Sequence, residues 1–381
     1  MASRALLHRL LALAFCLFSS LAAPVHADDT LSFRDPDDGA IDLSDYLLNH
    51  KGVFPVPIII TEPAVGYGGG AMLLYFRESF AEAAAEGMHE SGRIKPPTIS
   101  GLGGFGTQNG SWLGAAFHFQ PIDGDRYRYL GAIGKTSLNL DYYGALSQAR
   151  SYTLDGDFLL QQFLFRLGDS DWFVGPRYAY FSSDVGFDNE KATELGNIDS
   201  SRRVGLAGLV IDYDSRDNIF FPKHGSYMEV ELQMARDWLG SSSAFESYNA
   251  RAFTWLPLSK AWTLGLRIAG KTINGDYPFY AQPFVDLRGI EKGRFQDQNA
   301  VETEAELRWD VTPRWSLLAF GGVGKAYGQW HDFSDAQTVY GYGTGFRYLI
   351  AKKLGMAVGL DLGWGPDGEH AFYIQVGSAW K

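Results

Sequence analysis

Residues 301–310 read Val-Glu-Thr-Glu-Ala-Glu-Leu-Arg-Trp-Asp, with a charge at every second position. In an extended chain Glu302, Glu304, Glu306, Arg308 and Asp310 share one face, and Val301, Thr303, Ala305, Leu307 and Trp309 the other, because strand side chains alternate. Four acids and an arginine in a row cannot face lipid or a dry core. They line a wet lumen. Arg267 and Lys271 stand on a polar face opposite Leu264, Leu266 and Ile268, and Glu229 and Glu231 stand opposite Met228, Val230 and Leu232. The chemistry available is ion pairing across a hydrated interior, and its plainest form is a charge network that only hydrates and stiffens that lumen.

Catalysis has no comparable pattern. His50, His89, His118, His224, His331 and His370 are scattered, none pairs at metal-ligand spacing, and no His-x-x-Glu-His or Gly-x-Ser-x-Gly string occurs. Alternation puts His118 on the side of Trp112 and Gly114, as an ordinary lumen residue. Gly66-Tyr67-Gly68-Gly69-Gly70 lacks the Lys-Ser/Thr of a phosphate loop, so its glycines are read as relieving crowding in a curved wall. No enzyme activity, cofactor or metal is expected.

The elements that must position the charges are strands. In 354–364 every even residue is large and apolar and every odd one small or charged; Phe372, Ile374, Val376 and Trp380 extend the pattern, broken only at Ser378. Bulky residues with only Gly, Ala and Asp behind them suit a wall with lipid outside. About 16 such segments run from 53–61 and 65–77, through 126–142, 152–166, 172–182 and 204–214, to 371–380. Each is near the ~9–11 residues that a tilted strand needs to cross a bilayer. The fold class is therefore all-β: a transmembrane antiparallel β-barrel. Short turns at 168–171, 257–260 and 311–314 alternate with long loops such as 184–203 and 273–299, which assigns turns to the periplasm and loops to the outside. Trp309 and Trp315 flank one turn, Trp255 and Trp262 another, as an interfacial girdle requires. The competing fold is a soluble sandwich with an aromatic core.

Composition agrees. Arg4 and Arg9 precede an apolar run from Leu10 to Leu21, and Val25-His26-Ala27 supplies the positions a signal peptidase reads. This predicts a leader over 1–27, cleaved before Asp28, then a short periplasmic segment over 28–52 and the barrel over 53–381. Cys16, the one cysteine, leaves with the leader. The net charge of −11, with no basic block, argues against nucleic acid as a partner. Gly at 45 of 381 and aromatics at 15%, with hydrophobic residues at only 46%, fit a wall that shows lipid one face.

Leu287-Arg288-Gly289-Ile290, followed by Gly293-Arg294-Phe295 in the long late loop, resembles the Val-Arg-Gly-(Phe/Tyr) motif of the BamA/TamA superfamily, the bacterial surface antigen barrels. Asp212, Asp214, Arg216 and Asp217 with Pro222 and Gly225 resemble that family's turn between two mid-barrel strands. The aromatic-ended last strand (Phe372, Ile374, Val376, Trp380) is similar to the signal read by the barrel-assembly machinery, although Lys381 follows it. The resemblance implies outer-membrane biogenesis, the insertion or export of protein or lipid, in the bacterial outer membrane. The alternative is a passive pore or structural surface antigen that keeps the fold alone. The POTRA domains of the family do not fit into 28–52, so a separate periplasmic partner would have to replace them. The resemblance further implies that the 273–299 loop folds back into the lumen and that Arg288 pairs there with acids. Glu304 or Glu306 is the expected partner and Asp361 the third choice, with Gly289 allowing close approach. Phe320-Gly321-Gly322-Val323-Gly324 offers no acid at the family's usual wall position. Pro55 and Pro57 remove ladder donors from the first strand, so the junction between first and last strands is expected to be poor in hydrogen bonds.

Overall fold

A computed structural model describes residues 33–85, 95–144, 149–187 and 201–380. The expected leader and His89 lie outside them. A short helix, α1 (Ser44–Asn49), precedes β1 (Gly52–Ile60), β2 (Gly68–Phe76), a second helix α2 (Phe80–Ala85), β3 (Ile99–Thr107), β4 (Trp112–Ile122) and β5 (Tyr127–Tyr142). Then come β6 (Arg150–Arg166), β7 (Trp172–Phe187), β8 (Ser201–Asp214), β9 (Gly225–Ala235), β10 (Phe245–Pro257) and β11 (Trp262–Gly275). The last are β12 (Asn299–Asp310), β13 (Trp315–Tyr327), β14 (Val339–Ala351), β15 (Met356–Trp364) and β16 (His370–Val376). The sheet has 16 strands, each hydrogen-bonded to its neighbours in sequence order.

Polarity is inverted across the wall. On β12, Glu304 is 3% and Arg308 3% exposed, whereas Leu307 is 39% and Trp309 41% exposed. Apolar side chains cover the outside and charges are buried on the inner face, which is what a wall in lipid requires. Trp262 and Trp309 stack outside with ring centroids 5.5 Å apart, and Trp315 packs on Tyr348, both beside short turns. Trp255 is corrected. It shares the inner face with Arg251 and Phe253 and is buried, because its odd position on β10 fixes its side. His118 is corrected in the other direction. It pairs across the sheet with Ser100, on the same face as the exposed Leu102, and its ring lies 2.9 Å from the Ser100 hydroxyl. Near β1 to β5 both faces carry apolar residues, so alternation alone could not tell inside from outside.

Strand ends also moved. β7 runs to Phe187 and β8 starts at Ser201, because the polar residues Ser182, Ser183 and Asp184 pair with Arg203, Arg202 and Ser201. β16 stops at Val376 instead of reaching Trp380. Gly377 has φ +81° and a Cβ there would sit 2.6 Å from the Phe220 carbonyl oxygen, so the chain leaves the wall at a residue that only glycine suits.

Among the described residues no ladder joins β16 back to β1. Beneath that gap runs the segment before β1. Arg314, in the β12–β13 turn, donates to Asp35 (2.5 Å), Asp38 (2.8 Å) and Asp42 (2.6 Å). Lys352, after β14, donates to Asp35 at 2.9 Å, and the Leu43 amide to the Ile350 carbonyl at 2.7 Å. Leu47 and Leu48 of α1 pack on a cluster that joins Phe76 and Phe80 to Ala351 and Leu354. The segment is a strap from the β12–β15 side of the gap to the start of β1.

Candidate functional site on the inner wall

Between β11 and β12 the chain turns back onto the inner face. It reaches two sides of the wall. Phe279 packs edge-on against Tyr142 (4.8 Å) and Tyr152 (5.0 Å), and the Tyr280 hydroxyl lies 2.6 Å from that of Ser183, so this end sits on β5 to β7. Val285, Leu287 and Ile290 form a buried cluster with Val339 on the other side. Ile290 fills the place where the family pattern has an aromatic residue.

Arg288 sits between these anchors and is buried. Its Nε donates to Glu304 Oε1 at 2.8 Å and its Nη2 reaches the same oxygen. Nη1 donates to Asp361 Oδ2 at 3.0 Å and pairs with Glu306 Oε2 at 2.8 Å. The guanidinium carbon lies 3.6 Å above the centroid of Phe320. That ring occupies the glycine-rich stretch that offers no acid, and it supplies a π face where a carboxylate was sought. Gly289 has φ +94° and a Cβ there would lie 2.6 Å from the Trp364 backbone nitrogen; its amide donates to the Tyr373 hydroxyl of β16 at 3.0 Å.

Two contributors were not read from the sequence. Arg347 on β14 binds Asp361 through two hydrogen bonds of 2.5 and 2.9 Å. Its signal was present, since Gly341, Gly343, Gly345 and Arg347 alternate with Tyr340, Tyr342, Thr344 and Phe346. Trp380 is the other. Its indole stacks on Phe253 at 6.0 Å, lies against Trp255, and donates to Glu304 Oε1 at 3.1 Å. Phe372, Ile374 and Val376 stay on the outer face of β16, but Trp380 turns inward. Two guanidinium groups and an indole N–H thus hold three carboxylates, the arrangement that makes buried acids tolerable.

The remaining charges form separate groups. Arg267 donates to Glu302 at 2.6 Å and to the Asp286 carbonyl at 2.8 Å, while the Asp286 amide donates back to Glu302 at 2.9 Å. Lys271 lies 4.7 Å from the Phe284 ring. Glu229 pairs with Arg251 at 2.8 Å and Glu231 with Arg177. Arg308 stands over Phe221 at 3.8 Å and donates to the Pro222 carbonyl at 2.9 Å, so it joins the turn motif instead of Arg288. In that turn Asp214 holds Arg216 by two 2.8 Å bonds, and the Asp217 carboxylate accepts the Lys223 and His224 amides at 3.0 and 3.2 Å. Gly225 has φ +98° and Asp212 is buried beside them.

Outside the wall the strap carboxylates are held below the ordinary 3.8: Asp35 by the Asp37 amide and then Lys352, Asp38 by Arg314 and then the Ala40 amide. Asp42 is held low as well; burial opposes this, but Ser44, Arg314 and the Lys352 amide outweigh it.

An antiparallel wall with lipid-type residues outside and an arginine-bearing loop on its charged inner face defines a transmembrane barrel of the outer-membrane kind. Residues 174–380 match the Omp85 superfamily domain. The chain belongs to that superfamily. Among solved structures it is similar to BamA from Haemophilus ducreyi lacking POTRA domains 1–3, at 12% identity and TM-score 0.59, over 86% of this chain and 70% of that one. It is also similar to CdiB from Escherichia coli, at 10% identity and TM-score 0.57, over 84% of this chain and 61% of that one. CdiB from Acinetobacter baumannii gives 11% and 0.56, over 86% of this chain and 60% of that one. These likenesses are of fold. No curated protein sequence matches the chain.

Proposed function

We propose that this barrel serves biogenesis of the bacterial outer membrane as a non-catalytic conduit, passing protein or lipid through the junction of β1 and β16. The observation that carries this reading is the missing ladder between those strands, while β16 is fastened to the loop through Tyr373 and its tail to Glu304 through Trp380. A strand edge whose own tail is fixed elsewhere is free to pair with an incoming strand. Arg288 is the latch that keeps the loop on the wall. Client capture falls to a separate periplasmic partner, and the barrel-assembly machinery reads Phe372, Ile374 and Val376 before Trp380 turns inward.

Planar-bilayer recording of the purified barrel tests the reading against a passive pore. Rare, flickering openings that become longer in Arg288→Ala support a latched conduit. A large, steady, voltage-insensitive current in the unaltered chain would place it among open pores.

A further inference from the structure

We propose that a groove on the outer wall, beneath the loop that joins β13 to β14, binds one outer-leaflet lipid whose phosphate-bearing headgroup is net anionic. Its acyl chain lies on the wall and its phosphate on Lys325.

The groove follows from side-chain size. Across β10 to β13 the outward register runs Ala250↔Gly270, Gly270↔Val301 and Val301↔Lys325. With Ala252 beside them, Ala250 and Gly270 make a floor without bulk, while Met228 and Val323 rise at the two sides. The hollow is about 560 Å³, and a Cβ on Gly270 would touch only Val301, at 3.9 Å. Elsewhere on this wall Leu232, Met234 and Tyr248 stand out by about two fifths of their surface. A gap among such residues is the shape that an acyl chain fills.

The headgroup end is built from the loop at residues 328–338. Phe333 lies over the groove, set edge-on to Tyr327 at 5.0 Å. Its carbonyl accepts from Lys325 Nζ at 2.9 Å, and that ammonium lies 4.7 Å from the ring. Lys325 shares the outer face with Val323, which is 47% exposed. It stands two residues from the loop end of β13, far from the Trp315 girdle at the other end. An ammonium on a lipid-facing wall reaches for the interface, and among the described residues no carboxylate pairs with this one. Two of its donors remain for an anion. A phosphate at headgroup depth answers that charge, whereas a zwitterionic lipid would bring its own cation to the same place.

Native mass spectrometry of the full chain released from detergent tests this, with diphosphorylated lipid A as probe and phosphatidylcholine as comparison at equal concentration. The unaltered chain should carry a single lipid A adduct well above the phosphatidylcholine level. Lys325→Gln should lower its occupancy about tenfold, as for a lost charged hydrogen bond. Gly270→Leu with Ala250→Leu, which fills the hollow, should lower it too, and Lys260→Gln at a distant turn should not. Each variant is first checked for the heat-modifiable gel shift of a folded barrel. Equal retention of both lipids, or occupancy unchanged by Lys325→Gln, overturns the proposal. If the filled variant does not fold, the Lys325→Gln comparison decides alone.

Discussion

Arg288 is the residue whose surroundings matter most, because removing it leaves Glu304, Glu306 and Asp361 facing one another, with the Arg347–Asp361 bridge as their remaining ion pair among the described residues. Breaking a buried ion pair from one side costs about 3–5 kcal/mol. Arg288→Ala should therefore lower the temperature at which the folded gel band converts to the unfolded one. Arg288→Lys should fall between the two, since it keeps the charge but not the fork that serves three carboxylates. The reversal pair Arg288→Glu with Glu306→Arg should restore little, because Glu304 and Asp361 would still face the new acid. Trp380→Phe keeps the ring stack and removes only the indole donor, at about 1 kcal/mol. Much of this site was legible in the residues. The alternating acids of β12 fixed their own side, whereas the loop and its Arg288-Gly289 were marked only through the family resemblance. Arg347 and Trp380 were harder to see, because their partners come from register and from a bend at Gly377 that no periodicity records.

At the level of elements, the strap before β1 makes a test of pH. A carboxylate held below 3.8 in the folded chain stabilises at every pH above that value and loses its contribution as pH falls through and below it. The strap is firm at neutral pH and weakens progressively once pH falls below 3.8. Amide exchange across residues 33–50, followed by mass spectrometry, should be slow at pH 7 and accelerate in acid, after correction for the intrinsic pH dependence. In Arg314→Ala it should already be about tenfold or more faster at pH 7; unchanged protection in that variant would remove the strap from the account. The strands themselves were readable from alternation and turn spacing, and their crossing portions are where the sequence placed them. Ends differed where polar residues continue a ladder above the bilayer, as at Ser182 to Asp184, and where a positive-φ glycine stops one, as at Gly377. The strap was not foreseen as a unit. Asp35, Asp38 and Asp42 lie more than 270 positions from Arg314, and nothing local announces such a pairing.

For the whole molecule, the three fastenings act on one gap. The strap spans it from below, the Tyr373 contact draws β16 toward the loop, and Trp380 carries the tail to Glu304. None of them closes the sheet, and the first strand brings Pro55 and Pro57 to the edge that would have to pair. Closing the gap by chemistry is therefore the most direct trial of the proposed conduit. Ile59 and Ile374 both point outward at that junction, and Cys16 is the chain's only cysteine, so Ile59→Cys with Ile374→Cys gives one defined pair for a reducible bifunctional crosslinker. The measurement is the outer-membrane protein and lipid profile of a deletion strain carrying this variant, compared before and after reduction. The locked barrel should fail to restore the profile and reduction should restore it, while each single cysteine behaves as the unaltered chain. A locked barrel that restores the profile in full would contradict passage through the junction.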